Sequence, residues 1–248
     1  MINTIYTIGY SGFIIDDFIQ ILKKYEISVV IDVRSNPYSQ YHLEYNKENL
    51  KKKLKQNRIY YRNYFLEFGA RQSDKKYYSK EGYLDFELFS KSENFLKGIK
   101  KLENSMEKNY VIVLMCAEKD PIICHRAIMI SKIFSEKGYR VIHLLPNNVT
   151  ITQKDIEDRL IKKFFPNKGQ LSLIEMGEDL SEKEYIKRAY NKQNAEIGYR
   201  IEEEEKLVEI YTIGFTKKTA KEFFELIKKY NFSIIRFCKR KRFRIFFI

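Results

Sequence analysis

The chain has 248 residues, 44% of them hydrophobic, and its 46 Lys and Arg outnumber its 33 Asp and Glu to give a formal net charge of +13. This hydrophobic fraction supports a sizeable core and excludes an intrinsically disordered chain. No apolar run reaches the roughly 18 residues that span a bilayer, and the start lacks signal-peptide regions. We therefore expect a soluble, cytoplasmic protein without membrane contact, whose three cysteines are free thiols.

The positive charge is concentrated at the C-terminal end. Residues 236–248 contain six Lys or Arg and no acid, so the +13 of the whole chain falls to +7 over the other 235 residues. The protein is basic, but most of it only mildly so. Charge alone leaves nucleic-acid binding open, in a non-specific and salt-sensitive form.

Predicted strands and helices alternate over the first 150 residues. Periodicity and turn residues predict strands at 4–8, 28–33, 59–61, 110–115 and 140–145, and helices at 16–25, 46–56, 86–108 and 121–137. Asp120-Pro121 is typical of a helix start, and we expect that helix to bury Ile123, Ala127, Ile130 and Phe134. The alternation predicts an α/β fold with a mostly parallel sheet flanked by helices.

The rest of the chain divides into two predicted parts. Residues 151–205 are rich in Lys and Glu and are expected to form a helical extension and linker, and residues 206–248 resemble the start of the chain. The sequence of residues 5–10, IYTIGY, recurs 205 positions later as IYTIGF, and the match ends after Ile235. We interpret 206–248 as a truncated second copy of the opening β-α-β unit. A frameshift or truncation explains the break, and a genuine basic tail is the alternative.

Ligands of open parallel sheets bind beyond the carboxyl ends of the strands, and three such loops carry reactive side chains. The first follows Gly9 and the second follows Asp32, with Arg34 two positions on. The third runs from Cys116 to Arg126. We expect the three loops to converge on one pocket at this edge of the sheet.

Structural roles are the alternatives for these residues. Cys116, at the end of a buried strand, is also typical of a small core hydrophobe, and Asp32 and Arg34 are also typical of an internal salt bridge. Cys124 is better placed for reactivity, because a helix N-terminus favours the thiolate. Its neighbour His125 is either exposed or facing the loops.

A metal site is not favoured by the spacing. Cys116, Cys124 and His125 offer three zinc ligands, and a fourth would have to come from His143 or His42. The C-x7-C-H spacing matches no standard zinc module. There is also no Cys-x5-Arg phosphatase spacing, no Gly-x-Gly-x-x-Gly and no Walker A motif. We therefore predict no metal and no cofactor.

Five segments together resemble one known family, the domain of unknown function 488 (DUF488), across roughly residues 2–146. They are the TIGY opening, IDVRSNP at 31–37, FGAR at 68–71, LMCAEKDPIICHR at 114–126 and VIHL at 141–144. The resemblance implies an α/β fold and a shared pocket, and it assigns no reaction. Residues 210–235 resemble the opening of a second such domain.

Our leading hypothesis is an enzyme that acts on a small anionic substrate, phosphorylated or nucleotide-like. We expect catalysis by Asp32, Glu118, Cys124 and His125, and substrate binding by Gly9, Tyr10, Arg34, Arg71, Cys116 and Arg126. Arginine side chains suit such a substrate because their planar forks of donors match phosphate and carboxylate groups. The alternative is a nucleic-acid-binding accessory protein without catalysis. No oligomeric state follows from the sequence.

Overall fold

The computed structural model describes residues 4–166, 181–201, 218–229, 234–239 and 242–247. The chain divides into two compact units, Met1–Ile201 and Glu202–Ile248. The strands of the first unit are β1 (Thr4–Gly9), β2 (Val29–Asp32), β3 (Tyr60–Asn63), β4 (Ile112–Cys116), β5 (Arg140–Leu144) and β6 (Thr150–Thr152). Its α-helices are α1 (Ile15–Lys24), α2 (Lys47–Gln56), α3 (Phe65–Phe68), α4 (Phe86–Phe89), α5 (Glu93–Glu107), α6 (Lys132–Glu136), α7 (Gln153–Phe164) and α8 (Glu182–Ile197).

The six strands form one sheet in the order β3-β2-β4-β1-β5-β6. All neighbours are parallel except β5 and β6, which are antiparallel. Every residue of β2 and β4 is buried, which agrees with their continuous apolar sequences and with helices covering both faces. The predicted α/β fold with a mostly parallel sheet is confirmed.

Two hydrophobic cores lie on the two faces of this sheet, and we name them by their helices. The α1 core contains side chains from α1 and α2 together with Val30, Val113 and Met115. The α5 core contains side chains from α5, α6, α7 and α8 together with Ile31, Val33 and Cys116. The helices that follow residue 150 thus complete the cover of one face of the sheet.

Two predicted helices are interrupted. The helix expected at 86–108 is two helices, because the Ser92 side chain accepts a hydrogen bond from the Phe95 backbone N–H and starts a new helix. The helix expected at 121–137 consists of a 3-10 turn (Pro121–Ile123), a π-helical turn (Arg126–Ser131) and α6.

The interruption changes which side chains face inward. Cys124 has extended backbone angles, φ −129° and ψ 134°, so regular helical spacing does not hold across it. Ile123, expected inside, is 51% exposed, whereas Ala127, Ile130 and Phe134 are buried as predicted. The segment that contains Cys124, His125 and Arg126 is therefore irregular and tightly packed.

The end of the sheet differs from the prediction as well. The strand at 140–145 was expected to be the last of this unit, but β6 follows it and pairs with it after a turn of 3-10 form at Pro146–Asn148. Helix α7 begins directly after β6 with a capping box made by Thr152 and Asp155.

The described part of the second unit contains helix α9 (Ala220–Lys229) and strands β7 (Ile234–Lys239) and β8 (Arg242–Phe247). Helix α9 lies 205 positions after α1, and β7 begins 205 positions after β2. Strand β7 pairs with β8 in antiparallel register, whereas β2 lies between parallel neighbours. The matching segment at 210–215 lies outside the described residues, and the truncated repeat stays a prediction.

Within the described ranges, no helix combines the length and apolar character needed to cross a bilayer.

Candidate functional site

Four reactive side chains meet at the carboxyl end of β4, and we call them the thiol cluster: Cys116, Glu118, Cys124 and His125. Cys116 Sγ and Cys124 Sγ each lie 2.9 Å from Glu118 Oε2. His125 Nδ1 lies 3.8 Å from the sulfur of Cys116 and 3.9 Å from that of Cys124. Exposure is only 2% for Cys116, 1% for Cys124 and 8% for His125, while Glu118 is partly exposed.

The local sequence explains how the thiol cluster forms. Cys116 ends a fully buried strand, so its side chain is fixed by the sheet. Asp120 then caps the 3-10 turn by accepting from the Ile122 backbone N–H, and Pro121 occupies its first position. This turn redirects the chain so that Cys124 and His125 return beneath Cys116. The π-helical turn follows immediately, a feature often found at functional sites.

The orientation of the His125 ring is fixed by the main chain. Its Nε2 lies 3.0 Å from the Val33 carbonyl oxygen. A carbonyl only accepts, so Nε2 carries the hydrogen and donates. Nδ1 therefore faces the two sulfur atoms.

Burial and neighbouring charges shift the pKa values of the groups in the thiol cluster. Burial raises the pKa of the Cys116 thiol and of the Glu118 carboxyl. Burial acts the same way on Cys124, but the hydrogen bond with Cys116 and the positive charges of Arg126 and His125 outweigh it and hold the pKa of Cys124 well below its usual range. Burial lowers the pKa of His125, and its hydrogen bond and attraction to Cys124 more than compensate, so this pKa is raised. Negative charge therefore concentrates on Cys124.

Arg126 holds the loop above the thiol cluster. Its side chain is fully buried, and it donates from Nη1 to the Glu118 carbonyl at 2.6 Å and from Nη2 to the Lys119 carbonyl at 3.2 Å. A bound anion would need the same Nη1 and Nη2 groups, which already donate to these two carbonyls. The substrate-binding role expected for Arg126 stays a prediction, and the contacts present give it a positioning role.

A relay of buried polar groups continues from Arg126 into the sheet. Arg126 Nε lies 3.4 Å from Thr7 Oγ1, and the Thr7 hydroxyl donates to His143 Nδ1 at 2.7 Å. His143 Nε2 donates to Gln153 Oε1 at 2.9 Å, and Gln153 Nε2 donates to the Ala127 carbonyl. His143, considered as a distant zinc ligand, has both ring nitrogens engaged in this relay. Thr7 and Gln153 carry no sequence signal for this role, because neither residue type alone indicates a buried network.

Gly9 belongs to the thiol-cluster side of the sheet through backbone packing. A Cβ atom at this position would lie 1.8 Å from the Glu118 carbonyl oxygen and 3.1 Å from Arg126 Nη2. The loop that carries Glu118 can therefore approach β1 only because residue 9 has no side chain.

Asp32 and Arg34 form a second polar group on the other face of the sheet. Arg34 donates from Nε and Nη2 to the two carboxylate oxygens of Asp32 at 2.9 and 2.6 Å, and Tyr61 donates its hydroxyl to Asp32 at 2.6 Å. Arg34 lies over the ring of Tyr10, which stacks on Tyr45. Burial lowers the pKa of Arg34, but the ion pair with Asp32 outweighs it and raises this pKa.

Strand alternation separates this group from the thiol cluster. Ile31 and Val33 face the α5 core, so Asp32 between them faces the α1 core, where Tyr10, Tyr45 and Tyr61 also lie. Cys116 and Cys124 belong to the α5 core. The predicted residues thus share one edge of the sheet but form two groups on opposite faces, which contact each other through the backbone at Val33 and between Tyr10 and Cys116.

Arg71 lies near the Arg34 loop without joining either group. Its backbone N–H donates to Ser35 Oγ at 2.8 Å, and its exposed guanidinium lies over the ring of Tyr199 at 4.6 Å.

Two surface depressions, of about 510 and 460 Å³, lie beside α2 and on α9, and neither is lined by a predicted site residue. The single anion pocket stays a prediction.

The comparisons with known proteins agree with the motifs. The family model described as "Domain of unknown function DUF488" matches residues 14–133. Neither the curated proteins nor the solved structures yield a match to this chain. The matched segment is similar to this family, and it contains both polar groups, from Asp32 to Arg126.

Proposed function

We propose that this protein is an enzyme that acts on a small anionic substrate at the carboxyl edge of the sheet, with the thiol cluster as its reactive centre. The observation that carries the proposal is the convergence of two thiols, an imidazole and a carboxylate in a buried setting, with sulfur–oxygen distances of 2.9 Å and sulfur–nitrogen distances of 3.8 and 3.9 Å. Buried cysteines that serve only as core hydrophobes have apolar neighbours. Placing a carboxylate against them costs stability, which is typical of functional sites.

The exposure of each group suggests its role. Glu118 is the partly exposed member, so an incoming substrate meets its carboxyl group first, and we assign it the general acid–base role. Cys124 and His125 lie behind it and supply a thiol and a proton carrier. Cys116 contacts the same carboxylate oxygen from the strand side.

Positive charge for an anionic substrate is available on both faces of this edge. Lys119 is exposed and follows Glu118 directly, and its side chain packs beside Gly12 in the loop after β1. On the other face, Arg34 Nη1 is buried and has no hydrogen-bond partner among the described residues. A phosphate or carboxylate oxygen would satisfy that donor.

The proposal is tested with two substitutions and a matched control. Turnover is measured by mass spectrometry over a panel of phosphate monoesters and nucleoside phosphates, for the unchanged protein and for Glu118→Gln, Cys124→Ser and Glu107→Gln. We expect Glu118→Gln to reduce turnover by about 10²- to 10⁴-fold, the usual contribution of general acid–base catalysis. Glu107 is an exposed carboxylate at the end of α5, so Glu107→Gln leaves turnover unchanged.

Unfolding in urea separates a loss of chemistry from a loss of fold. Glu118→Gln changes the free energy of unfolding little if its role is chemical. If Glu118→Gln and Cys124→Ser alter stability and leave turnover intact, the thiol cluster is structural and the proposal is wrong. Binding of the panel compounds that weakens steeply with salt, without turnover, would favour the nucleic-acid-binding alternative.

A further inference from the structure

We infer that Cys116, Cys124 and His125 bind one zinc-type divalent metal ion, with the carboxylate of Glu118 beside its open fourth position. The inference rests on the proposed function only for the participation of the ion in catalysis, in which Cys124 and His125 would hold the ion in place of acting as thiol and proton carrier. Binding itself is independent of any substrate and is measured separately.

The first argument is the distance between donor atoms. The two Sγ atoms and His125 Nδ1 lie within 4.8 Å of one another, all three residues being buried. Zinc binds sulfur at about 2.3 Å and imidazole nitrogen at about 2.0–2.1 Å, so a tetrahedral ion separates a sulfur from the nitrogen by about 3.5–3.6 Å and the two sulfurs by about 3.8 Å. The nitrogen–sulfur distances of 3.8 and 3.9 Å are a few tenths of an ångström longer. A contraction of a few tenths of an ångström for the nitrogen–sulfur pairs, and of at most about 1 Å for the sulfur pair, brings all three donors into bonding range of one ion.

The second argument is independent of those distances and concerns the far side of the imidazole. A histidine that ligates a metal through one nitrogen almost always donates its other N–H to a carbonyl or carboxylate. His125 Nε2 does this toward the Val33 carbonyl at 3.0 Å. The ring is therefore held by the neighbouring strand in the orientation in which Nδ1 is available as a ligand.

The third argument is the chemistry and charge of the donor set. Thiolate and imidazole ligands select zinc and other late transition metals over magnesium or calcium. Two thiolates neutralise the two positive charges of the ion, so the buried site carries no net charge before the fourth ligand is counted. The thiol protons are released on binding, as for other thiolate sites.

Glu118 lies beside the fourth position, which the three buried ligands leave open. Its Oε2 lies 2.9 Å from both sulfur atoms, on the partly exposed side of the thiol cluster. Sites with three protein ligands and one exchangeable position are typical of catalytic zinc. The expected alternatives for the fourth ligand lie elsewhere, since His143 binds Thr7 and Gln153 and His42 packs against Tyr10.

The experiment uses the full chain, reduced and freed of metal with a chelator, and then titrated with Co²⁺ and with Zn²⁺ under anaerobic conditions. Co²⁺ should give thiolate-to-metal charge-transfer absorption and intense d–d bands of tetrahedral type at one equivalent, and Zn²⁺ should displace it. Zinc should also protect Cys116 and Cys124 from alkylation in peptide mapping. The third cysteine, Cys238 in β7, lies in the other compact unit and should stay unprotected.

Variants identify the ligands. Cys116→Ser and Cys124→Ser should weaken binding by more than the roughly 10- to 100-fold that loss of an outer-shell partner costs, whereas Cys238→Ser should bind like the unchanged protein. Glu118→Gln should keep the charge-transfer absorption and weaken binding less. Absence of that absorption in the unchanged protein, or protection of Cys238 equal to that of Cys124, overturns the inference even if a buried serine variant fails to fold. If metal binds and turnover is absent, the site is structural and only the proposed function fails.

Discussion

Two buried histidines show how neighbouring residues decide the role of one side-chain type. His125 faces two thiols and a carboxylate, and the pKa of its imidazole is raised by Cys124. His143 is fully buried in a neutral relay, where burial and then the charge of Arg126 lower its pKa to about 3. The sequence placed both near strand ends but contained no information about these partners, which come from Thr7 on one side of the chain and Gln153 on the other.

The pKa of His143 makes a prediction about acid stability. Its value falls from 6.5 in a free histidine to about 3 in the folded protein, so the unfolded chain binds more protons between these pH values. The stability that neutral His143 contributes is therefore fully present above about pH 6.5. It is lost as the pH falls toward 3, by about 5 kcal/mol as an order of magnitude. The charged groups that act on this imidazole are Arg126, Cys124 and Asp155.

His143→Gln is the variant that isolates this effect, because glutamine is neutral throughout the range. Urea unfolding of both proteins between pH 7 and 4 should show a steeper decrease for the unchanged protein. Parallel curves for the two proteins would mean that His143 does not contribute to the acid response.

Single elements were predictable where capping chemistry is local. Asp120-Pro121 caps a 3-10 turn where the sequence predicted the start of a helix, and the Asp120 carboxylate accepts from the Ile122 N–H as expected of an N-cap. The irregular course after it was not predictable, because the break at Cys124 depends on packing against β4 and on the hydrogen bond from His125 to Val33. Periodicity assumes a continuous helix, and it therefore assigned Ile123 to the wrong side.

Asp120 links this turn to helix α7, and its two roles can be separated. Arg159 of α7 donates to both carboxylate oxygens of Asp120, at 2.9 and 2.6 Å, in a pair that is about two-fifths exposed. Loss of a cap costs about 1 kcal/mol and loss of an exposed ion pair about 0.2–1 kcal/mol. We expect Asp120→Ala to lower the free energy of unfolding by about 1–2 kcal/mol and Arg159→Ala by less.

Asp120→Asn is the informative intermediate, since it keeps the capping oxygen and loses the charge. Its stability in urea unfolding should match that of Arg159→Ala. If Arg159→Ala is as destabilising as Asp120→Ala, the ion pair and not the cap holds the turn.

At the scale of the whole molecule, the sequence predicted the sheet and the edge where the candidate residues lie, but not the face that each of them occupies. Asp32 and Cys116 both end buried strands that lie side by side, yet Asp32 is in register with Met115. Neighbouring residues in register point to the same face, so Asp32 and Cys116 point to opposite faces, and a shift of one residue would have put them together. Hydrophobic pattern sets each strand but does not fix that register when both faces are buried.

The division into two compact units makes the last prediction. All residues of the two cores precede residue 201, and the chain from 199 to 201 contributes to the first unit through its backbone. Leu84 donates to the Tyr199 carbonyl at 2.9 Å, and Ile201 donates to the Gly82 carbonyl at 3.0 Å. A fragment that ends at Ile201 should therefore unfold in one cooperative transition and keep metal binding.

A second fragment that ends at Gly198 is the matched control. It lacks both backbone hydrogen bonds, each worth about 0.5–1.5 kcal/mol net, so its free energy of unfolding should be lower by about 1–3 kcal/mol. Urea unfolding followed by circular dichroism compares the two fragments with the full chain. A non-cooperative transition for the fragment ending at Ile201 would show that residues 202–248 are needed to fold the domain that carries the thiol cluster, whereas equal stability of the two fragments would show that residues 199–201 add nothing to it.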